Sequence, residues 1–226
     1  MTKPKSDVSP VVLTVGHSTR SLEDFIHLLQ AHAVNKVIDV RTVPRSRHNP
    51  QFNQETLPSH LSTASIGYIH MPDLGGLRHP LPDSPNKGWR NSSFRGFADY
   101  MQTKGFETSL ETIIQLARQD RISLMCAEAL PWRCHRSLIA DALLIRGIQV
   151  EHIMSPTHGQ LHSLTSWAQV DGIRITYPPA KDIPKLNGCL SKEKGKKLSN
   201  RERGEVQRVK GKVKKPDNAD AEERDC

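Results

Sequence analysis

No run of apolar residues in this chain approaches the length needed to cross a bilayer. The first ten residues, MTKPKSDVSP, hold no apolar core of the kind a secretory leader uses. Cysteine is scarce, with only Cys126, Cys134, Cys189 and Cys226, and four thiols at this length make no disulfide framework. A zinc site would have to use Cys126, Cys134 and His135, and no Cys-x2-Cys pair is present, so the spacing assigns no metal ligands. Hydrophobic residues reach only 36%, low for a packed domain, so part of the chain is expected to lie outside the core. No internal repeat is found. These absences lead to the expectation of a cytoplasmic protein with reduced thiols and no membrane partner.

Positive charge is present but unevenly placed. The formal net charge is +8, and residues 192–215 alone hold 11 Lys or Arg against 3 Asp or Glu. The last eleven residues, 216–226, reverse the sign, with 5 acidic side chains and 1 basic. A segment so poor in apolar residues cannot offset the entropy of folding. The expected layout is therefore a flexible arm over 1–10, an α/β domain over 11–180 and a disordered basic tail over 181–226. Lys3, Lys5, Arg45 and Arg47 add scattered basic surface, read as a solvated face.

Hydrophobic periodicity orders the middle of the chain. Val11-Val-Leu-Thr-Val15 reads as a first strand, and Ser21 with Asp24 opens a helix whose Leu22, Phe25, Ile26 and Leu29 share a face. Lys36–Arg41 reads as a second strand and Gly67–Met71 as a third. Residues 42–65 are irregular, with a short helix expected at 54–62. Two helices are expected over 93–118, broken near Gly105. Gln149–Met154 is expected as the last strand, and 156–180 as a polar region with one possible short helix. Strands alternating with helices imply an α/β fold, a single domain with a mainly parallel sheet flanked by helices.

The stretch Ile122-Ser-Leu-Met-Cys-Ala-Glu-Ala-Leu-Pro-Trp-Arg-Cys-His-Arg136 carries the densest chemistry. It runs from a buried strand into a helix expected over 137–146, and such turns form ligand sites because they lie at the carboxyl ends of parallel strands. Cys126, Glu128 and His135 are the candidate catalytic groups. His17, Ser18, Asp39, Arg41, Arg133 and Arg136 are the candidate substrate-binding groups. Two readings stand for Cys126, a thiolate nucleophile activated by the nearby arginines or a core filler. Cys134 shares a helical spacing with Leu138, Ala142 and Ile145, which favours packing. Asp39 inside an apolar strand needs a partner, so an Asp–Arg or Asp–His pair that braces the site stands beside direct catalysis.

Several of these motifs resemble a family known as domain of unknown function 488. The matching pieces are Val15-Gly-His-Ser18, Asp39-Val-Arg41 with Pro44 and Ser46, Gly67-Tyr68, Leu74-Gly-Gly76 and Phe97-Ala-Asp-Tyr-Met101. The most specific is Met125-Cys-Ala-Glu128 with Pro131 and Cys134-His-Arg136. The resemblance covers about residues 11–155 and implies a compact α/β domain with a shared polar site. It implies no activity. Two functions fit the residues. One is an enzyme with an anion-binding site, acting on a phosphate-bearing or nucleic-acid-related substrate. The other is a non-catalytic, nucleic-acid-associated binding module that uses the basic tail. The expected partner is an anionic small molecule or nucleic acid. The sequence names no cofactor and no oligomeric state.

Overall fold

Eight strands and five α-helices make up the described residues, 10–179, of the computed structural model. Strands β1 (Val11–Gly16), β2 (Lys36–Asp39), β3 (Gly67–His70), β4 (Ile122–Cys126), β5 (Gln149–Ser155) and β6 (His158–Leu161) form one sheet in the order β3-β2-β4-β1-β5-β6. The first five run parallel, and β6 joins β5 antiparallel, so the sheet is mixed but mostly parallel. A separate hairpin pairs β7 (Gln169–Asp171) with β8 (Arg174–Thr176).

The helices cover both faces of the sheet, and the strand sequences explain why. Successive strand residues point to opposite faces. Leu13, Val15, Val37 and Met125 pack with Phe25, Leu28 and Leu29 of α1 (Leu22–Ala31) and with Leu57 and Leu61 of α2 (Leu57–Thr63). Val12, Ile38, Ile122 and Leu124 pack on the other side. Their partners come from α3 (Ser92–Tyr100), α4 (Lys104–Gln119) and α5 (Arg136–Leu144). Every residue of β4 is buried, as expected of a central parallel strand covered on both faces. From β1 to β3 the chain steps toward one edge. From β3 to β5 it steps back, and the helices change face at that reversal. Ligand crevices form where connections diverge in this way, at the carboxyl ends of the strands.

Local signals set the helix ends. Ser21 accepts a hydrogen bond from the backbone N–H of Asp24 at 3.0 Å, and its hydroxyl donates to the Asp24 carboxylate at 2.7 Å. This reciprocal cap starts α1 where the spacing of Ser21 and Asp24 places it. Asn91 caps α3 and Thr103 caps α4, which explains the break near Gly105.

Four expectations need correction. The helix expected at 54–62 is α2, Leu57–Thr63, preceded by a 3-10 turn at Pro50–Phe52. Strand β2 ends at Asp39, so Arg41 lies beyond it. No helix forms in 156–179; β6, β7 and β8 occupy that region, and β5 is not the last strand. These strands have three or four residues and are largely exposed, so no apolar run announces them, and their order comes from pairing. Finally, Cys134 is not on the α5 helical face. It follows a 3-10 turn at Pro131–Arg133 in extended backbone, and α5 begins only at Arg136. The described residues belong to one unit, Met1–Lys185. The expected arm, apart from Pro10, and the expected basic tail lie outside the described residues.

Candidate functional site

The loops after β1 and β4 are stitched together beyond the sheet. His17 N–H donates to the Cys126 carbonyl at 3.0 Å, and Ser18 N–H to the Ala127 carbonyl at 2.9 Å. Val40 N–H donates to the Met125 carbonyl at 3.0 Å on the other side of β4. Gly16 permits this approach, because a Cβ there would stand 2.0 Å from the Glu128 carbonyl oxygen. Ser18 adopts φ of 52°, a left-handed conformation that costs energy for a residue other than glycine and recurs at functional sites.

One buried network rises from β2. The Asp39 carboxylate is fully buried and accepts from Arg41 Nε at 2.9 and 3.1 Å and from Arg41 Nη2 at 2.6 Å. It also accepts from the Arg41 backbone N–H at 3.0 Å and from the Tyr68 hydroxyl at 2.7 Å. Arg41 Nη2 donates to the Phe52 carbonyl at 2.7 Å. Its Nη1 stands 3.2 Å from His17 Nε2, while His17 Nδ1 faces the Ser18 carbonyl at 2.8 Å. Only one tautomer satisfies both contacts: Nδ1–H donates to Ser18, and Nε2 accepts from Arg41. Burial is the main reason the His17 ring stays neutral, with its pKa lowered to about 4. The ring also stacks on Phe52 with centroids 4.2 Å apart.

A second network surrounds the two core thiols. Cys126 ends β4, and Cys134 and His135 arrive from the turn before α5. His135 Nε2 donates to the Val40 carbonyl at 3.1 Å, which leaves Nδ1 facing Cys134 Sγ at 3.7 Å. Arg136 is almost fully buried, and its Nε donates to Cys134 Sγ at 3.3 Å. Its remaining donors reach the Thr14 hydroxyl at 3.3 Å and the Glu128 carbonyl. No carboxylate among the described residues pairs with it. The interaction of the Cys126 thiol with Cys134, together with burial, raises Cys126 well above its ordinary pKa, against the lowering charge of Arg136. Burial also works to raise Cys134, but its interaction with Cys126 and the charge of Arg136 outweigh it and hold that thiol well below its ordinary range. The geometry agrees in that Cys134 is the sulfur that faces a guanidinium.

Behind Arg136 the polar contacts continue. The Thr14 hydroxyl lies 2.7 Å from His152 Nδ1, His152 Nε2 lies 3.0 Å from His162 Nδ1, and His162 Nε2 lies 2.8 Å from the Asp141 carboxylate. Asp141 accepts from His162 and Arg136 donates to Thr14; one arrangement with neutral imidazoles satisfies every contact between them, His152 donating to His162 and Thr14 to His152. Burial holds His152 neutral, with its pKa lowered to about 4. The buried cation and the buried carboxylate are thus linked by an unbroken file of hydrogen bonds.

Both networks meet at a cavity of about 610 Å³ at the carboxyl ends of β1, β2 and β4. Of the residues expected from sequence, His17, Ser18, Arg41, Cys126, Glu128, Arg133 and His135 line it. Asp39 and Arg136 are not in its wall; they stand behind it, bound to Arg41 and to Cys134. Arg41 reaches the wall with its guanidinium already engaged. Sequence reasoning favoured packing for Cys134 and solvated surface for Arg45, and both line the cavity; it gave no site role to Tyr68, Thr14, His152, His162 or Asp141, which brace it. Arg133 is exposed at the rim and forms no ion pair among the described residues, whereas Arg45 pairs with Glu55 at 2.8 Å. The ligand atoms of Cys126, Cys134 and His135 lie within 4.8 Å of one another, close enough to hold one metal ion. No Cys-x2-Cys spacing links them along the chain; the fold brings them together.

The fold and site define a class: an α/β protein with a mostly parallel sheet and a polar, thiol-containing cavity at the strand carboxyl ends. Residues 21–143 match the family described as Domain of unknown function DUF488, and the chain belongs to that family. No curated protein and no solved structure matches the chain. Among the described residues no helix is long and apolar enough to cross a membrane.

Proposed function

We propose that the chain is an enzyme that acts on a phosphate-bearing substrate, a small molecule or a nucleic-acid end, in this cavity. One observation carries the reading: two thiols and an imidazole sit on the cavity floor beneath a rim where the Arg133 guanidinium is unpaired among the described residues. Reactive groups under a cationic rim suit a substrate held by its anionic end with its reacting atoms directed inward. In this reading Arg133 and Ser18 hold the anion. Glu128, exposed at the cavity edge, serves as the acid–base group. Cys126, Cys134 and His135 meet the reacting atoms. Asp39, Arg41 and Arg136 position the others.

Calorimetric titration with inorganic phosphate and with nucleoside monophosphates tests the proposal. Arg133→Ala should weaken binding by about tenfold, the scale of one charge-assisted contact. Glu128→Gln should spare binding and abolish turnover of a bound phosphate ester. A wild-type protein that binds none of these probes, or an Arg133→Ala protein that binds them equally well, would overturn it.

The 11 basic residues within 192–215 support a second reading, a nucleic-acid-associated binding module. It requires DNA affinity that falls steeply with salt and disappears when those side chains are neutralised, with the cavity playing no part.

A further inference from the structure

We propose that Cys126, Cys134 and His135 bind a zinc ion, with its fourth coordination position open to the cavity. The inference deepens the proposed function by naming a cofactor at the same site, and its mechanistic meaning rests on that reading. The coordination itself stands on separate geometry.

The three ligand atoms lie within 4.8 Å of one another, and Cys134 Sγ is 3.7 Å from His135 Nδ1. A tetrahedral zinc with Zn–S of about 2.3 Å and Zn–N of about 2.0 Å would space its ligands about 3.5–3.8 Å apart, so small side-chain movements close the site. The donor set is chemically selective. Thiolate and imidazole favour zinc and disfavour magnesium or calcium, which take oxygen ligands.

The surroundings match those of a metal-binding histidine. His135 Nε2 donates to the Val40 carbonyl at 3.1 Å, which fixes the tautomer and leaves the Nδ1 lone pair toward the sulfurs. Arg136 Nε donates to Cys134 Sγ at 3.3 Å, the contact expected to orient a ligating thiolate and offset its charge. The backbone is rigid on both sides. Cys126 closes the fully buried strand β4, and its carbonyl accepts from His17 N–H. Three protein ligands with a position open to a cavity are the pattern of catalytic zinc, whereas structural sites close with a fourth protein ligand. Cys126, Cys134 and His135 all line the cavity, so the open position faces the space a substrate would fill. A zinc-bound water there would be a nucleophile near neutral pH, and a zinc-bound phosphate oxygen would be polarised.

Cobalt and zinc loading of the reduced full-length chain test this, in a Cys189→Ser, Cys226→Ser background so that only the two core thiols remain. One equivalent of zinc should survive desalting. Cobalt should give thiolate-to-metal charge-transfer absorption and the visible bands of a tetrahedral site. X-ray absorption of the zinc-loaded protein should show two sulfur neighbours and a nitrogen. Cys126→Ser and Cys134→Ser should each remove the charge-transfer intensity of one thiolate, and His135→Gln should weaken zinc binding by tenfold or more. The spectra of the parent protein decide the matter even if a variant fails to fold. Absence of retained zinc together with absence of a charge-transfer band overturns the proposal, as does rapid formation of a Cys126–Cys134 disulfide in the presence of excess zinc. Phosphate binding measured on the same samples separates the two readings. Zinc retained without phosphate binding supports the metal site and removes the proposed substrate class; phosphate bound with no zinc retained does the reverse.

Discussion

Arg136 Nε stands 3.3 Å from Cys134 Sγ, and this buried guanidinium has no carboxylate partner among the described residues. The relationship reverses the order of acidity that the sequence suggests for the two thiols. Cys126 lies at a strand end near two arginines in the chain, yet Cys134 is the one that receives the Arg136 hydrogen bond.

The reversal is measurable in protein kept reduced and stripped of metal by a chelator. Alkylation rates followed from pH 5 to 10, with each peptide quantified by mass spectrometry, should show the Cys134 rate rising at lower pH than the Cys126 rate. The midpoint reports acidity whatever the access of each sulfur. Arg136→Lys should move the Cys134 midpoint upward. A Cys126 midpoint below that of Cys134 would reverse the assignment of thiolate and thiol.

Two neutral buried histidines make stability depend on acid. The unfolded chain protonates a histidine near pH 6.5, whereas His17 and His152 in the folded chain resist until about pH 4. Between those values the unfolded state binds more protons, so stability rises with pH across this window. It is fully present above about 6.5 and is lost as pH falls toward 4. Each histidine accounts for about 3 kcal/mol at most. Urea denaturation at pH 7.5, 6, 5 and 4.5 should show a steady fall, and His152→Gln should flatten it. A His152→Gln protein with the parent's full acid sensitivity would show that His152 is not held neutral by the fold.

The Asp39–Arg41 pair should be costly to break from one side. Asp39→Asn leaves the Arg41 charge buried without its counter-ion and should cost about 3–5 kcal/mol. Replacing both, as Asp39→Asn with Arg41→Met, should recover part of that loss. The comparison is made by chemical denaturation at pH 7.5. If the double variant is as unstable as the sum of the singles, the two side chains are not coupled as their geometry requires.

Gly16 is predicted to be intolerant of a methyl group. A Cβ at this position would stand 2.0 Å from the Glu128 carbonyl oxygen, a backbone atom that cannot swing aside. Gly16→Ala should therefore lower stability by about 2 kcal/mol or more and displace the loop that carries Glu128. Gly67→Ala is the control, since its Cβ meets nothing nearer than a flexible lysine side chain at 3.4 Å. Equal thermal midpoints for the two variants would contradict the close approach.

Much of this protein is decided by local sequence. The first five strands and the helices between them were legible because apolar periodicity, the Ser21–Asp24 cap and the break near Gly105 act over a few positions. The motif from Ile122 to Arg136 marked the site for the same reason, since a strand end and a helix start bring its residues together regardless of the rest. Tertiary structure alone decided the partners. Thr14 and His152 are 138 positions apart, yet one hydrogen bond joins them. Arg41 is spent on Asp39 rather than on a ligand, and Arg136 turns inward to a sulfur. The strands β6, β7 and β8 were equally invisible, because short exposed strands are stabilised by the neighbour they pair with. Buried polar groups must find partners wherever the fold brings them, and a linear pattern records which groups need partners but not which ones they meet.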